Sequence, residues 1–412
     1  MAGMQIKPIL AALRHHKSGT ALIALQIALT LAIVCNALFI ISQRIAHLSR
    51  PSGVDENSLL VIQNQWAGKP SVDETASLVK ADLATLRQLP GVADAYATNA
   101  WPLGNGGISF GMGYTPEKQA SVTSTAIYFA DQHTLPTLGL KLIAGRNFHS
   151  DEITQAKGVG SMALSEIIVT KDLAEKMFPH GDALGKAVYL SAKPSTIVGI
   201  VERMQVPWVY SFADNWADRS TLVPDQLSTP QGSSYVVRVK TDQMDAVFHD
   251  VKKALFAANR LRVISPKDGV QRFSDVRAKA YKSDRGMAIM MGLICVVLLA
   301  ITAAGIVGLT SFWAGQRRKQ IGVRRALGAT QRNILDYFLT ENLLISTGGV
   351  IVGALLAVGL NLGLIAYFEL ARMPIAYVGA GVLVVLLLGQ LATLAPALRA
   401  SLVSPVEATR SV

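Results

Sequence analysis

A cluster of basic residues, RRKQIGVRRALGATQRNI, occupies residues 317 to 334 of this sequence. It contains six basic residues and no acid, and it lies between two long stretches without charge. A basic cluster of this kind can bind nucleic acid, lipid headgroups or a protein partner. The surrounding sequence must decide among these three.

Enzymatic chemistry has little support in the sequence. The nearest approach to a phosphate-binding loop, GDALGKA at residues 181–187, is one residue too short and ends in Ala instead of Ser or Thr. The histidines lack the spacing of zinc ligands. We therefore predict no catalytic residue, no metal site and no cofactor in this chain.

The composition is that of a membrane protein. Half of the 412 residues are hydrophobic, 16% are charged, and the mean hydropathy is +0.35. Four stretches without Asp, Glu, Lys or Arg exceed the roughly 20 residues that a helix needs to cross the hydrocarbon. We predict a four-helix transmembrane domain with a large α+β extracytoplasmic domain inserted between the first and second helices.

The predicted boundaries follow the charge pattern. They are an interfacial helix at 1–17, spans at 18–43, 286–316, 335–368 and 374–398, an outer domain at 44–285, a cytoplasmic loop at 317–334, an external turn at 369–373, and a cytoplasmic tail at 399–412.

The membrane-flanking bases predict the orientation. Lys7, Arg14 and Lys17 precede the first span, the basic cluster follows the second, and Arg399 and Arg410 follow the fourth. Short loops rich in Lys and Arg stay in the cytoplasm. Both termini are therefore predicted inside and the large domain outside. The alternative, a cleaved signal peptide, is disfavoured because the first apolar run exceeds the usual length of about 7–15 residues.

The outer domain shows strand–helix–strand order near both of its ends, beginning at SLLVIQN and at SSYVVRVK. We expect these two units to pair in one α/β layer. Residues from about 101 to 232 would form an inserted subdomain. Both cysteines, Cys35 and Cys295, fall inside predicted spans, so the outer domain has no disulfide to make.

An aromatic stretch, VPWVYSFADNWADRS, lies within the inserted subdomain. Its four rings, Trp208, Tyr210, Phe212 and Trp216, have two interpretations. They could contact a partner or an amphiphilic substrate, or they could be packed core.

Within the spans, small and amide residues predict close helix packing. Gly349, Gly353 and Ala357 recur every four residues, and Gln26 and Asn36 can bond across helices. The middle of each predicted span is free of charged residues, so the spans offer no obvious site for an ion or proton relay.

The basic cluster itself predicts a docking helix. Nucleic acid is disfavoured because the cluster lies at the membrane and lacks aromatic residues for stacking. Lipid phosphates and topology would account for Arg317, Arg318 and Lys319. The following residues alternate apolar and basic side chains at helical spacing, with Gly328 as a C-cap and Thr330 as the N-cap of the next helix.

Residues 317–357, RRKQIGVRRALGATQRNILDYFLTENLLISTGGVIVGALLA, resemble the permease module of MacB-like and FtsX-like ABC transporters. The tail PALRASLVSPVEATR resembles the closing motif of the same family. LGLKLIAGRNF, FPHGDALGKAVYL and STIVGIVE are similar to the periplasmic core of MacB-like proteins. The resemblance covers nearly the whole chain.

The resemblance implies a permease of the inner membrane that transmits the motion of a cytoplasmic ABC ATPase dimer to a periplasmic domain, with ATP and Mg²⁺ bound by the ATPase. It also implies a second identical or homologous permease pairing through the first two spans, and export of an amphiphile from the periplasm or the outer leaflet. A periplasmic adaptor and membrane lipids complete the expected partners. The expected ATPase contact comprises Ile321, Gly322, Arg324, Arg325, Leu327, Gly328 and Ala329.

Two departures and two rival functions accompany this interpretation. The family usually has Glu where this chain has Gln320, and MacB itself joins its ATPase to the permease, whereas here the spans begin near residue 18, which implies a separate ATPase. An FtsX-like signalling anchor that activates an outer hydrolase, and a permease for lipoprotein release, are the alternatives.

Overall fold

The computed structural model describes residues 17–68, 70–117, 120–156, 164–227, 231–368 and 372–403. The predicted interfacial helix, the centre of the external turn and most of the C-terminal tail lie outside these residues. The chain divides into two compact units. Arg50–Lys282 is the outer unit, and the remaining residues on both sides of it form the membrane unit.

Ten α-helices are present in the described residues. They are α1 Lys17–Leu48, α2 Val72–Gln88, α3 Thr134–Leu138, α4 Lys171–Met177, α5 Met244–Ala258, α6 Phe273–Ala280, α7 Lys282–Gln316, α8 Arg318–Ala326, α9 Gln331–Phe368 and α10 Ile375–Ser401.

Four of these helices, α1, α7, α9 and α10, are long and apolar enough to cross a membrane. In α9 the helix begins at Gln331. The predicted fold class, four spanning helices with an α+β domain inserted after the first, is confirmed.

The membrane unit is built around α1. Gly349 and Gly353 of α9 lie directly against the backbone of α1. A Cβ at position 349 would be 2.7 Å from the Ala24 carbonyl oxygen, and a Cβ at position 353 would be 2.9 Å from the Ala28 Cα. The Asn36 amide donates across the same contact to the carbonyl oxygen of Ala357 at 3.1 Å. The small residues predicted to allow close packing thus do so between α1 and α9.

Polar side chains also join α1 to α7. The Gln26 amide donates to the carbonyl oxygen of Ile301 at 3.1 Å, and the hydroxyls of Thr30 and Thr302 are 2.8 Å apart. In hydrocarbon these groups have no water to bond, so each pair favours one alignment of the two helices.

In the part of the outer unit that the structure describes, fourteen strands accompany helices α2 to α6. They are β1 Leu59–Trp66, β2 Val92–Thr98, β3 Ile108–Gly113, β4 Ser121–Phe129, β5 Leu142–Gly145, β6 Thr154–Ala156, β7 Glu166–Thr170, β8 Ala187–Tyr189, β9 Pro194–Val201, β10 Ser220–Val223, β11 Asp225–Leu227, β12 Gly232–Val239, β13 Arg262–Val263 and β14 Val270–Arg272.

The first sheet has the order β13-β1-β12-β2, with β14 also paired to β1. Its strands come from both ends of the outer unit, and β1 and β12 are antiparallel over their whole length. Helices α2 and α5 pack on it through apolar residues such as Val79, Leu83 and Val251. A capping box between Ser71 and Glu74 starts α2.

The second sheet is built from the middle of the outer unit. Its order is β5-β9-β7-β10-β4-β3-β8, and β8 also pairs with β9, so six of the strands close into a ring. The enclosed core contains Ile127, Phe129, Ile167 and Ile197. Closure leaves few free edges, which suits a subdomain made of short strands. Strands β6 and β11 pair separately.

A buried ion pair reinforces the first sheet. The Arg262 guanidinium donates to both oxygens of Asp82 at 2.7 and 2.9 Å, and both side chains are excluded from solvent. The Tyr235 hydroxyl also donates to Asp82, at 2.7 Å. Burial and the neighbouring carboxylate raise the pKa of Tyr235 well above its ordinary value, so the phenol stays protonated as a donor.

We predict that Asp82→Asn lowers the free energy of unfolding of the outer unit by about 3–5 kcal/mol, because it leaves the Arg262 charge buried without its partner. Denaturant unfolding of the solubilised chain, followed by tryptophan fluorescence, measures the loss. Asp245→Asn is the control, since the Asp245–Arg272 pair is exposed and should be worth about 1 kcal/mol or less. Equal losses in the two variants would contradict the prediction.

Candidate functional site

Helix α8 forms a short elbow between the long helices α7 and α9. It ends at a Schellman motif: Gly328 has a φ of +96°, the Gly328 N–H donates to the Arg325 carbonyl at 3.1 Å, and the Ala329 N–H donates to the Arg324 carbonyl at 3.0 Å. Gly328 is therefore the C-terminal stop that the sequence predicted. The motif fixes the direction in which the chain leaves the elbow.

The next helix begins at the predicted cap. The Asn333 N–H donates to the Thr330 hydroxyl oxygen at 3.2 Å, which satisfies one free amide in the first turn of α9. Gly328 and Thr330 thus confine the turn between α8 and α9 to a few residues with defined geometry.

One face of the elbow packs inward. Ile321 is only 5% exposed and lies in an apolar cluster with Ile334 and Phe338 of α9 and with Ala397 and Ala400 of α10. Its neighbour Gly322 is also buried. This packing anchors α8 to the two helices beside it.

The opposite face is open. Leu327 is 84% exposed and Val323 is 51% exposed, while Arg324 and Gly328 are exposed as well. Arg325 and Ala329 are partly buried. Among the described residues this is a small apolar surface edged by guanidinium groups.

The expected ATPase contact therefore needs one correction. Ile321 and Gly322 do not present surface to a partner, because both are buried and Ile321 packs against α9 and α10. Their role would be to hold α8 against the helix bundle while other residues of α8 contact the ATPase. Val323, which was outside the expected set, takes their place on the exposed face.

A buried ion pair fixes the start of the elbow. The Arg317 guanidinium donates to both oxygens of Glu341 at 2.9 and 3.0 Å, and the two side chains are 12% and 3% exposed. Arg317 also lies over the Trp313 ring at 6.0 Å. Lipid phosphate is thus not its main partner, contrary to the interpretation of the sequence, because Glu341 is already bound to it.

A second basic residue is oriented by an aromatic ring. The Arg324 guanidinium carbon lies 5.2 Å from the centre of the Tyr337 ring, within the range of a cation–π contact. Tyr337 belongs to α9, so the exposed Arg324 is held against the same helix that binds Arg317.

The aromatic stretch of the outer unit forms a surface cluster. Tyr210 and Phe212 are 52% and 59% exposed, and Trp208 and Trp216 are partly buried. The packed-core interpretation of these rings is therefore wrong for Tyr210 and Phe212. Elsewhere in the described residues, no group of three His, Cys, Asp or Glu side chains is arranged to hold a metal ion.

Comparison with known proteins matches two sequence families. The MacB-like periplasmic core domain matches residues 20–254, more than half of the chain, and the FtsX-like permease C-terminal domain matches residues 292–405.

Individual relatives are distant. The macrolide export ATP-binding/permease protein MacB of Bartonella quintana (strain Toulouse) is 24% identical over 97% of this chain and 58% of its own length. The uncharacterized ABC transporter permease YknZ of Bacillus subtilis (strain 168) is 21% identical over 88% of this chain and 86% of its own length. The periplasmic region of MacB from Actinobacillus actinomycetemcomitans matches 57% of this chain and 97% of its own with 14% identity and a TM-score of 0.34.

Fold and sequence together define a multi-pass membrane protein with an inserted α+β domain of the periplasmic core type. The chain belongs to the family of ABC transporter permeases with a MacB-like periplasmic core and an FtsX-like C-terminal domain. It spans little more than half the length of the Bartonella MacB protein.

We predict that Glu341→Gln destabilises the elbow by about 3–5 kcal/mol, because Arg317 would keep its charge without a counter-ion in a buried place. Thermal unfolding in detergent and hydrogen exchange across α8 measure the effect. Asp336→Asn is the matched control, since the Arg332–Asp336 pair on the same helix is largely exposed.

A double substitution, Arg317→Met with Glu341→Leu, should recover most of the stability, since apolar residues of similar volume can replace a buried ion pair. If Glu341→Gln and Asp336→Asn behave alike, the ion pair does not brace the elbow.

Proposed function

We propose that this chain is the permease subunit of an ABC transporter complex in the inner membrane, and that it transmits the motion of a separate cytoplasmic ATPase to its outer unit. The observation that carries the proposal is the elbow α8: its exposed face is apolar and basic, and its opposite face is fixed to the bundle. A surface of this kind suits a partner that pushes on it.

The proposed orientation places the elbow in the cytoplasm. The bases of the 317–334 segment and Arg399 beyond the last span favour that side. The termini would be cytoplasmic, and the outer unit, attached through α1 and α7, would be periplasmic. ATP and Mg²⁺ would be bound by the partner, an ABC ATPase dimer.

The internal contacts of the elbow support transmission of force. A load on Val323 or Leu327 would reach α9 and α10 through Ile321, and it would reach the junction of α7 and α9 through Arg317 and Glu341. Because packed elements shift as units instead of deforming continuously, the long helices would carry the displacement across the membrane.

The complex would contain further partners besides the ATPase. A second permease, identical or homologous, would pair through α1 and α7, and the exposed apolar side chains of α7, among them Ile289, Leu293 and Val296, are compatible with such a contact or with lipid. A periplasmic adaptor could complete the assembly. The cargo would be an amphiphile taken from the periplasm or the outer leaflet.

We expect Arg324→Glu and Leu327→Asp to weaken binding of the ATPase by more than about tenfold each, which corresponds to ~1.4 kcal/mol. The first reverses a charge on the exposed face, and the second places a carboxylate in its apolar centre. Co-purification of the tagged permease with its ABC ATPase, identified by mass spectrometry, together with the ATPase rate, measures the effect.

Arg399→Glu is the control, because it makes the same charge change at an exposed position of α10. Unchanged ATPase binding and stimulation in both elbow variants would remove the contact surface from the proposal.

A further inference from the structure

The ring of six strands in the second sheet is closed at one place by a single residue pair. Strands β3 and β8 meet only at Gly113 and Tyr189, whereas β3 pairs with β4 along its whole length. From Ile108 to Met112, the other edge of β3 therefore has no strand beside it in the part of the chain that the structure describes. A strand edge of this kind offers its backbone N–H and C=O groups to another chain.

The direction of these backbone groups follows from the neighbouring strands. The Ala126 N–H of β4 donates to the carbonyl of Arg219, the residue before β10, at 3.0 Å. It therefore points away from β3, because β4 lies between β10 and β3. Ala126 is opposite Ser109, so the N–H and C=O of Ser109 point away from β4 as well. The same holds two residues further on, at Gly111.

A cleft of about 600 Å³ lies along this edge. One wall is β3 from Ser109 to Gly113, and another is the turn after β8, from Tyr189 to Ala192. Ser109 and Gly111 are exposed. Glycine inside a strand often marks a place where another backbone approaches closely, and both glycines of β3 line the cleft.

The cleft has an apolar side and a polar side. Phe110 packs on the core of the ring, and Leu164 and Leu190, which belong to that core, also line the cleft. Ser109 and Gly111 alternate with Phe110 along β3 and so lie on the opposite face. A chain placed beside β3 in an extended conformation would pack every second side chain on the apolar residues and turn the others to the polar face.

A single extended peptide is the ligand that matches these features. Outward N–H and C=O groups are satisfied by another backbone, whereas an acyl chain in the cleft would cover them without bonding to them. A folded protein would need an open flank, but the cleft is bordered by the turn Tyr189–Ala192 and by the segment Thr115–Glu117. The two outward residues of β3 suffice to pair with about four or five residues of peptide.

We propose that the free edge of β3 binds a short extended peptide with alternating apolar and polar side chains, which adds a strand to the ring. Hydrogen bonds to the backbone of Ser109 and Gly111 would supply affinity. Contact with Phe110, Leu164 and Leu190 would supply specificity. The site lies wholly within the outer unit and needs no ATPase, so peptide binding can fail while the elbow contact holds, and the reverse.

Binding of a labelled peptide to the full chain in detergent tests the site. The probe is a fluorescein-labelled hexapeptide of alternating threonine and valine, and fluorescence anisotropy measures its dissociation constant. Two further probes carry N-methyl groups, one on the threonines and the other on the valines. Alternate N–H groups of a strand point to opposite edges. We therefore expect one methylated probe to bind about tenfold or more weakly and the other to bind as before. Weakening of both or of neither would contradict the proposal.

Ser109→Pro removes a donor from the free edge and places a ring carbon where the peptide would bond. Proline is tolerated on an edge strand where its nitrogen faces away from the sheet, so the ring should fold. We expect the unmethylated probe to bind about tenfold or more weakly. Ser109→Ala is the matched control, because it keeps the N–H, and it should bind as the unchanged chain does. Equal affinities of the two variants would contradict the proposal.

Amide hydrogen exchange of the unchanged chain, resolved to single residues, is an independent measurement. Without peptide, the amides of Ser109 and Gly111 should exchange fast, and those of Phe110 and Met112, which face β4, should exchange slowly. Saturating probe should slow exchange at Ser109 and Gly111. Slow exchange there without peptide would show that the edge is already covered by protein, and unchanged fast exchange with peptide would show that the peptide binds elsewhere. Either result would overturn the proposal.

Discussion

A buried ion pair between Arg317 and Glu341 fixes the point at which the elbow α8 leaves α7. Removing two charges from water costs several kcal/mol for each ion, and the pair is tolerated because both oxygens of Glu341 accept from one guanidinium. The pair fixes the end of α7 to the side of α9, so α8 begins from a constrained point. Because Ile321 packs against α9 and α10, one face of the elbow is fixed to the bundle and the opposite face is exposed.

The same logic holds deeper in the membrane unit. Where water is absent, polar groups must find partners within the bundle, and the pairs Gln26–Ile301, Thr30–Thr302 and Asn36–Ala357 align α1 with α7 and α9. The glycines of α9 then allow backbone contact with α1. These contacts would let the bundle move as a few rigid parts, as the proposed transmission of force requires.

The sequence predicts the features that depend on local pattern. Charge-free length gives the four spans, the Gly328 and Thr330 caps give the ends of the elbow, and alternating apolar residues give the strands. It misses the features that depend on distant contacts. The packing of α9 and α10 determines that Arg317 binds a carboxylate and that Ile321 faces inward. The only sequence signal for the Arg317 ion pair is the acid Glu341 near the end of a predicted span. The exposure of Tyr210 and Phe212 likewise depends on how the loop that carries them closes, where the Val206 N–H donates to the Ala217 carbonyl, since apolar composition alone favours burial.

The side of the membrane at which the elbow lies decides whether α8 can contact a cytoplasmic ATPase. Leu327→Cys, at the most exposed apolar position of the elbow, can be labelled with a membrane-impermeant maleimide in intact spheroplasts and in inverted vesicles, with Val263→Cys as the reference for the outer unit. Labelling of residue 327 only in inverted vesicles, and of residue 263 only in spheroplasts, is the predicted result. Labelling of both residues from the outside would place the elbow out of reach of any cytoplasmic ATPase and would contradict the account.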